Sequence, residues 1–138
     1  MFLQCKWKYG GLILAAVSAS VNKGGKILVA RNCHKAVYHA LYLRELQPVY
    51  IYPHEDQRLG INGGISPERV ERYLEENTDV QAFLLTSPTY DGVVSDIKTI
   101  AELYTDIRFL LLWMKHMVHI FIILNIFRCL LLIWELTL

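Results

Sequence analysis

The sequence predicts an α/β fold, a mostly parallel sheet with crossover helices. Three short apolar runs, Lys26–Ala30, Val49–Tyr52 and Gln81–Thr86, have the length and bounded character of buried strands. Segments of helical spacing lie between and after them, two of which open with helix-start signals, Ser66-Pro67 before the third strand and Ser95-Asp96 after it. Strands that alternate with helical segments in this way pair in parallel, because the helix carries the chain back to the same end of the sheet.

The elements follow in order. Gly11 to Val21 is small and apolar, a helix suited to packing closely on a sheet. Asn22-Lys23-Gly24-Gly25 is a turn, and Lys26–Ala30 (KILVA) is the first strand. From His34 to Glu45, Val37, Ala40, Leu41 and Arg44 fall near one stripe, with Tyr38, Tyr42 and Glu45 beside it. Pro48 opens the second strand, Val49–Tyr52, and a polar, Gly-rich loop follows. Ser66 is placed as N-cap with Pro67 in the first turn of a helix running to about Asn77, with Val70, Tyr73 and Leu74 inward. Gln81–Thr86 is the third strand, and Ser95-Asp96 caps a last helix through Glu102.

Composition narrows the classes of function. With 138 residues there is material for one small domain, and the near-balanced formal charge of +1 gives no electrostatic reason to expect nucleic acid. Cys5, Cys33 and Cys129 are odd in number, far apart and without a CxxC pair, so they read as free thiols in a reducing compartment rather than as a metal or redox site. Residues 1–16 lack the features of a cleaved signal peptide, and the expected location is cytoplasmic.

Sites in such sheets gather beyond the carboxyl ends of the strands. Two polar segments fall there: Arg31-Asn32-Cys33-His34-Lys35 after the first strand and Thr86-Ser87-Pro88-Thr89-Tyr90 after the third. Taken as pattern alone, His34 is an ordinary helix-start histidine and Ser87-Pro88-Thr89 an ordinary turn. Residue physics stops at part of an α/β domain.

The run KILVARNCHKAVYHALYLRELQPVYIYP, continued by GGISPERVERYLEEN and LLTSPTYDGVVSDIKTIAE, closely resembles the major domain of the ornithine/lysine/arginine decarboxylases. The likeness covers Gly10 to about Glu102, two-thirds of the chain, and RNCHK followed by a helix and PVY is its most specific part. It implies a partial aspartate-aminotransferase-type (fold type I) domain, pyridoxal phosphate as cofactor, a basic amino acid as substrate, and a homo-oligomeric family. It implies further that His34 stacks on the pyridine ring and that Thr89 lies close to the cofactor. The protonated ring is the sink for the electrons left when carbon dioxide departs. That chemistry needs an NGST phosphate turn upstream, a DEAHGAH segment whose Asp pairs with the ring nitrogen, and a later Schiff-base lysine.

None of those three segments is present in the frame as read, and the Schiff-base lysine is expected beyond Leu138. Where DEAHGAH is due the chain reads Trp113-Met114-Lys115-His116-Met117-Val118-His119-Ile120. Read one base earlier, Trp113-Met114 forces Asp, Met114-Lys115 forces Glu and Met117-Val118 forces Gly, while the remaining pairs permit Ala, His, Ala and His. Phe127 to Leu138 permits FPVSALDLGADL, its Gly forced by Trp134-Glu135, and Tyr104 to Ile107 permits VHRY. At the other end, Cys5 to Gly10 read one base later permits VNGSTG, its first Gly forced by Trp7-Lys8. The chain therefore divides into residues 1–9, an out-of-frame leader; 10–103, a partial decarboxylase major domain; and 104–138, an out-of-frame apolar tail.

A competing reading makes 109–133 a membrane segment. Its length suffices for a span, which needs roughly 20 mostly apolar residues. Lys115, His116, His119 and Arg128 interrupt it, leaving at most nonspecific membrane sticking by a short interfacial helix. The expectation is a remnant of a basic amino-acid decarboxylase that does not bind pyridoxal phosphate productively, with no catalytic residue and no metal site. The alternatives are a membrane-associated non-enzymatic protein and an intact decarboxylase obscured by sequencing errors. Replacement of the strand that carries the acid is expected to deprive the sheet of its neighbouring strand, unless Leu110 to Trp113, whose apolar pattern survives the shift, enters the sheet in its place.

Overall fold

A computed structural model describes residues 10–103, 110–115 and 120–125. In it, α1 (Gly10–Ser20), β1 (Lys26–Ala30), α2 (Lys35–Leu43), β2 (Gln47–Ile51), β3 (Glu55–Asp56), β4 (Ile61–Asn62), α3 (Pro67–Glu76), β5 (Val80–Thr86), α4 (Ile97–Glu102), β6 (Leu110–Lys115) and β7 (Ile120–Asn125) follow one another. The sheet has five strands in the order β2-β1-β5-β6-β7. The first four run parallel, and β7 returns antiparallel along β6. The α/β fold with a mostly parallel sheet is thus present as expected.

Alternation along each strand divides the core between two layers of helices. Ile27, Val29, Ala82, Leu84 and Leu112 pack with Ile13 and Val17 of α1 and with Val37, Ala40 and Leu41 of α2. Leu28, Ala30, Phe83, Leu85 and Leu111 pack on the other face with Val70 of α3 and Ile100 of α4. Successive side chains leave a strand on opposite faces, and a strand covered on both faces therefore becomes a continuous apolar run.

Several expectations need correction. The second strand begins at Gln47, and Pro48 lies within it opposite Ile27. β2 is the outer strand, where a residue without an N–H can be accommodated at the free edge. The polar loop after β2 contains a small antiparallel pair, β3 with β4. Its turn is built by Asp56, whose carboxylate accepts from the Arg58 and Leu59 amides at 2.9 and 3.1 Å. Ser66 stands at the N-cap of α3, and Pro67 in its first turn, but the serine side chain makes no capping hydrogen bond. The sheet also keeps a strand beside β5. β6 is in register from Ala82↔Leu110 to Thr86↔Met114, with Leu111 and Leu112 buried.

The candidate membrane segment 109–133 lies partly outside the described residues. Its described parts are strands of the sheet, and among the described residues no helix is long and apolar enough to cross a membrane.

Candidate functional site

The parallel arrangement brings the carboxyl ends of β1, β2, β5 and β6 to one edge of the sheet. α1 joins the amino end of β1 through the Asn22–Gly25 turn, where Gly24 takes φ 76° and the Asn22 amide donates to Gln81 Oε1 at 2.9 Å. Because α1 packs along the sheet from that end, its first residue, Gly10, lies toward the carboxyl edge. Two helix N-termini, those of α1 and α2, therefore face the edge where ligands of open α/β sheets bind.

His34 sits at this edge. It is exposed and is the N-cap of α2, with its Nδ1 accepting from the Ala36 amide at 3.2 Å. That bond makes Nδ1 the acceptor and assigns the ring proton of the neutral form to Nε2. The ring is held by the helix it starts, so its position follows from local sequence.

Thr89 is buried in the segment after β5. Its amide donates to Val93 O at 2.9 Å, and its Oγ1 accepts from the Val93 amide at 3.2 Å, closing the Thr89–Val93 loop. His34 and Thr89 follow adjacent strands, and no hydrogen bond joins them among the described residues. The loop is pinned beneath by serines. Ser95 donates its amide to Ser87 Oγ at 3.0 Å, and its own hydroxyl accepts from the Ile65 amide at 3.1 Å.

A second cluster lies between β1, β2 and α2. The Arg31 guanidinium sits 5.2 Å from the Tyr38 ring centre and 5.7 Å from that of Tyr50. Tyr38 Oη accepts from Arg31 Nη1 and donates to Arg31 O at 2.8 Å. Burial, reinforced by Cys33, pushes the Tyr38 phenol up to about 12. Burial likewise pushes the Cys33 thiol up, which leaves it protonated and a poor nucleophile at neutral pH. The cluster is a cation stacked on aromatic rings, a packing device rather than a proton-transfer centre.

Two polar atoms near the edge have no partner: Asn32 Oδ1 and, at the last residue of β5, Thr86 Oγ1. The sequence placed both residues in the polar segments beyond strands. Their burial and lack of partners depend on what packs around them, so periodicity carries no signal for either. No group of three or more His, Cys, Asp or Glu that could hold a metal occurs among the described residues.

Comparison with known proteins agrees with this geometry. The family model for the Orn/Lys/Arg decarboxylase major domain matches residues 10–128. The chain is 40% identical over 93 residues to the arginine decarboxylase of Bacillus subtilis (strain 168), which is 67% of this chain and 19% of that protein. It thus spans about a fifth of that relative's length. Among solved structures, an aspartate aminotransferase mutant from Thermus thermophilus superposes with a TM-score of 0.63 at 17% identity, covering 77% of this chain and 29% of that one. Cystalysin from Treponema denticola, which contains pyridoxal 5'-phosphate, superposes at 0.57 with 10% identity, covering 78% and 35%. At those identities the likeness shows the fold, the fold type I architecture of a partial domain.

Proposed function

The chain belongs to the Orn/Lys/Arg decarboxylase family, and from that premise we propose that it is a remnant of a pyridoxal-phosphate-dependent basic amino-acid decarboxylase that no longer completes the reaction. The observation that carries this reading is the register of β5 with β6. Thr86, the last residue of β5, stands opposite Met114. The resemblance puts the acidic partner of the ring nitrogen at that position, and methionine carries no charge.

The cofactor fits the described residues in part. The carboxyl edge offers the His34 ring at the start of α2, and the buried Thr89 in the loop that follows the neighbouring strand. At the ring nitrogen the fit fails. A protonated pyridinium needs a carboxylate beside it, and an apolar residue there favours the neutral ring, which is a poor electron sink. The sequence of the upstream segment points the same way. Trp7 and Tyr9 stand where small residues would turn their amides toward a phosphate. His34 and Thr89 therefore retain at most a stacking and a lining role.

The reading includes the shifted frames of residues 1–9 and 104–138. In that account the nucleotides under Trp113 to Leu138 encode DEAHGAH and a VSALDLGAD-like run one base earlier. Threonine or tyrosine codons where Ala or His is due would count heavily against it.

At the bench, the purified chain mixed with pyridoxal phosphate should develop no absorbance band that borohydride fixes to a single lysine. It should release no carbon dioxide from lysine, ornithine or arginine above a boiled control. Stoichiometric fixation at one defined lysine, or substrate-dependent carbon dioxide, would overturn the proposal.

A further inference from the structure

Thr86 is 2% exposed, and its hydroxyl has no hydrogen-bond partner. Buried hydroxyls are almost always paired, so one left alone calls for an explanation. The sheet register supplies it. Leu84 and Leu112 are register partners and both belong to the core cluster on the α1 face. Two residues further along each strand, Thr86 and Met114 are partners in turn. Since the strand repeat is two residues, positions 86 and 114 lie on that same face, on strands about 4.8 Å apart. This is the face on which α1 and α2 begin toward the carboxyl edge.

We propose that the Thr86 hydroxyl is a positioning group for an acidic side chain at position 114, left without its partner by the methionine there. The inference rests on the reading that position 114 is where the family's acid stands. A threonine hydroxyl donates one hydrogen bond, and an ionised carboxylate only accepts. A donor from the adjacent strand would fix the carboxylate's orientation and favour its charged form. Thr86 would act through the acid and would not touch a substrate. Exchange of the acid for methionine removes the acceptor and leaves a buried donor with nothing to replace it.

The test is a double-mutant cycle on the full chain, melted without cofactor. Thr86→Val replaces the hydroxyl by a methyl of similar shape, which is nearly neutral or stabilising when the hydroxyl was unpaired. In the native background it should raise the melting midpoint or leave it within about 1 °C. In the Met114→Asp background the same substitution should lower the midpoint by about 4 °C. The carboxyl introduced by Met114→Asp, followed by carbon-13 shift, should also titrate about one pH unit lower with Thr86 present than with valine there. A role confined to packing would leave that titration unmoved.

Should Met114→Asp fail to fold, Met114→Asn supplies a neutral acceptor, and the same reversal of sign is expected in the melts. A fall of about 4 °C for Thr86→Val in the native chain would show that the hydroxyl is already paired and would overturn the inference. So would equal effects in both backgrounds. These melts are independent of cofactor chemistry. Fixation of pyridoxal phosphate by the native chain would overturn the proposed loss of function and leave the outcome of the cycle standing.

Discussion

The half of the sheet built from β1, β2 and β5 and the half built from β6 and β7 are both continuously paired, apart from a register shift between Lys26 and Ile27 where β1 meets β5, and they differ in what their residues can do. β1 pairs with β2 over five residues without interruption, and β6 pairs with β7 over six. Both halves feed the same two core layers, through Ile27 and Leu28 in one and Leu112 and Leu111 in the other. The residues expected to meet the cofactor, His34 after β1 and Thr89 after β5, both belong to the first half. A sheet asks its strands for apolar side chains on both faces, which many sequences supply. A cofactor site asks for one residue type at one position, and in the proposed reading a shift of frame has removed it at position 114.

This contrast can be broken most directly in the core. Leu112→Ala should cost about 2–5 kcal/mol in urea unfolding, within the range expected for Leu28→Ala in β1, because each leucine is fully buried. A cost below about 1 kcal/mol for Leu112 alone would show that β6 is not an integral strand, and the two halves would no longer be equivalent.

The loop after β5 gives the next largest effect. Ser95→Ala should destabilise by about 1–3 kcal/mol, since the Ile65 amide loses a buried acceptor. Equilibrium unfolding checks it, and a change within about 0.5 kcal/mol would mean that the serine pins are dispensable.

A smaller effect lies at alkaline pH. Tyr38 is pushed up to about 12 from an ordinary 10, so its neutral form is favoured by folding. The contribution to stability is complete below the unfolded value and is lost as the pH rises through the folded one. Ultraviolet titration of the native chain should show one phenol ionising late, and Tyr38→Phe should remove it. If the late phenol survives that substitution, the Arg31–Tyr38–Tyr50 cluster is not its cause.

The smallest effect is at acid pH. Lys26 Nζ lies 2.7 Å from the Asp79 carboxylate at the amino edge, and the hydrogen bond from Lys26 lowers the carboxyl's pKa. The stabilisation is present above the unfolded carboxylate range and disappears as the pH falls through the folded value. The pair is open to solvent, so Asp79→Asn should narrow the difference between neutral and acid melting midpoints only slightly, and less in high salt. A salt-independent change would point to another group.

Much of the first half was legible in advance because local signals and tertiary packing agree there. Lys26–Ala30 is a strand with the predicted ends, and the Asp96 carboxylate accepts from the Thr99 amide at 3.1 Å as a cap should. Ser66 shows the limit of such signals: it holds the capping position without making the bond. The β3–β4 pair was missed because its strands are two residues each, too short for any alternation to register. At the candidate site, His34 was legible as a helix start, and the cofactor role proposed for it comes from resemblance alone.

The sequence by itself determined the alternation of strands and helices, the family, and the absence of a charge at position 114, since each is a matter of residue type and order. The apolar pattern of Leu110 to Trp113 allowed a strand, but tertiary structure alone decided that it runs parallel to β5 in the observed register, that Ile120–Asn125 returns along it, and that the Thr86 hydroxyl is buried without a partner. The physical reason is that an apolar run specifies burial but not its neighbours. Which strand lies alongside, in which direction and in which register, is fixed only when the two faces of the sheet are packed together.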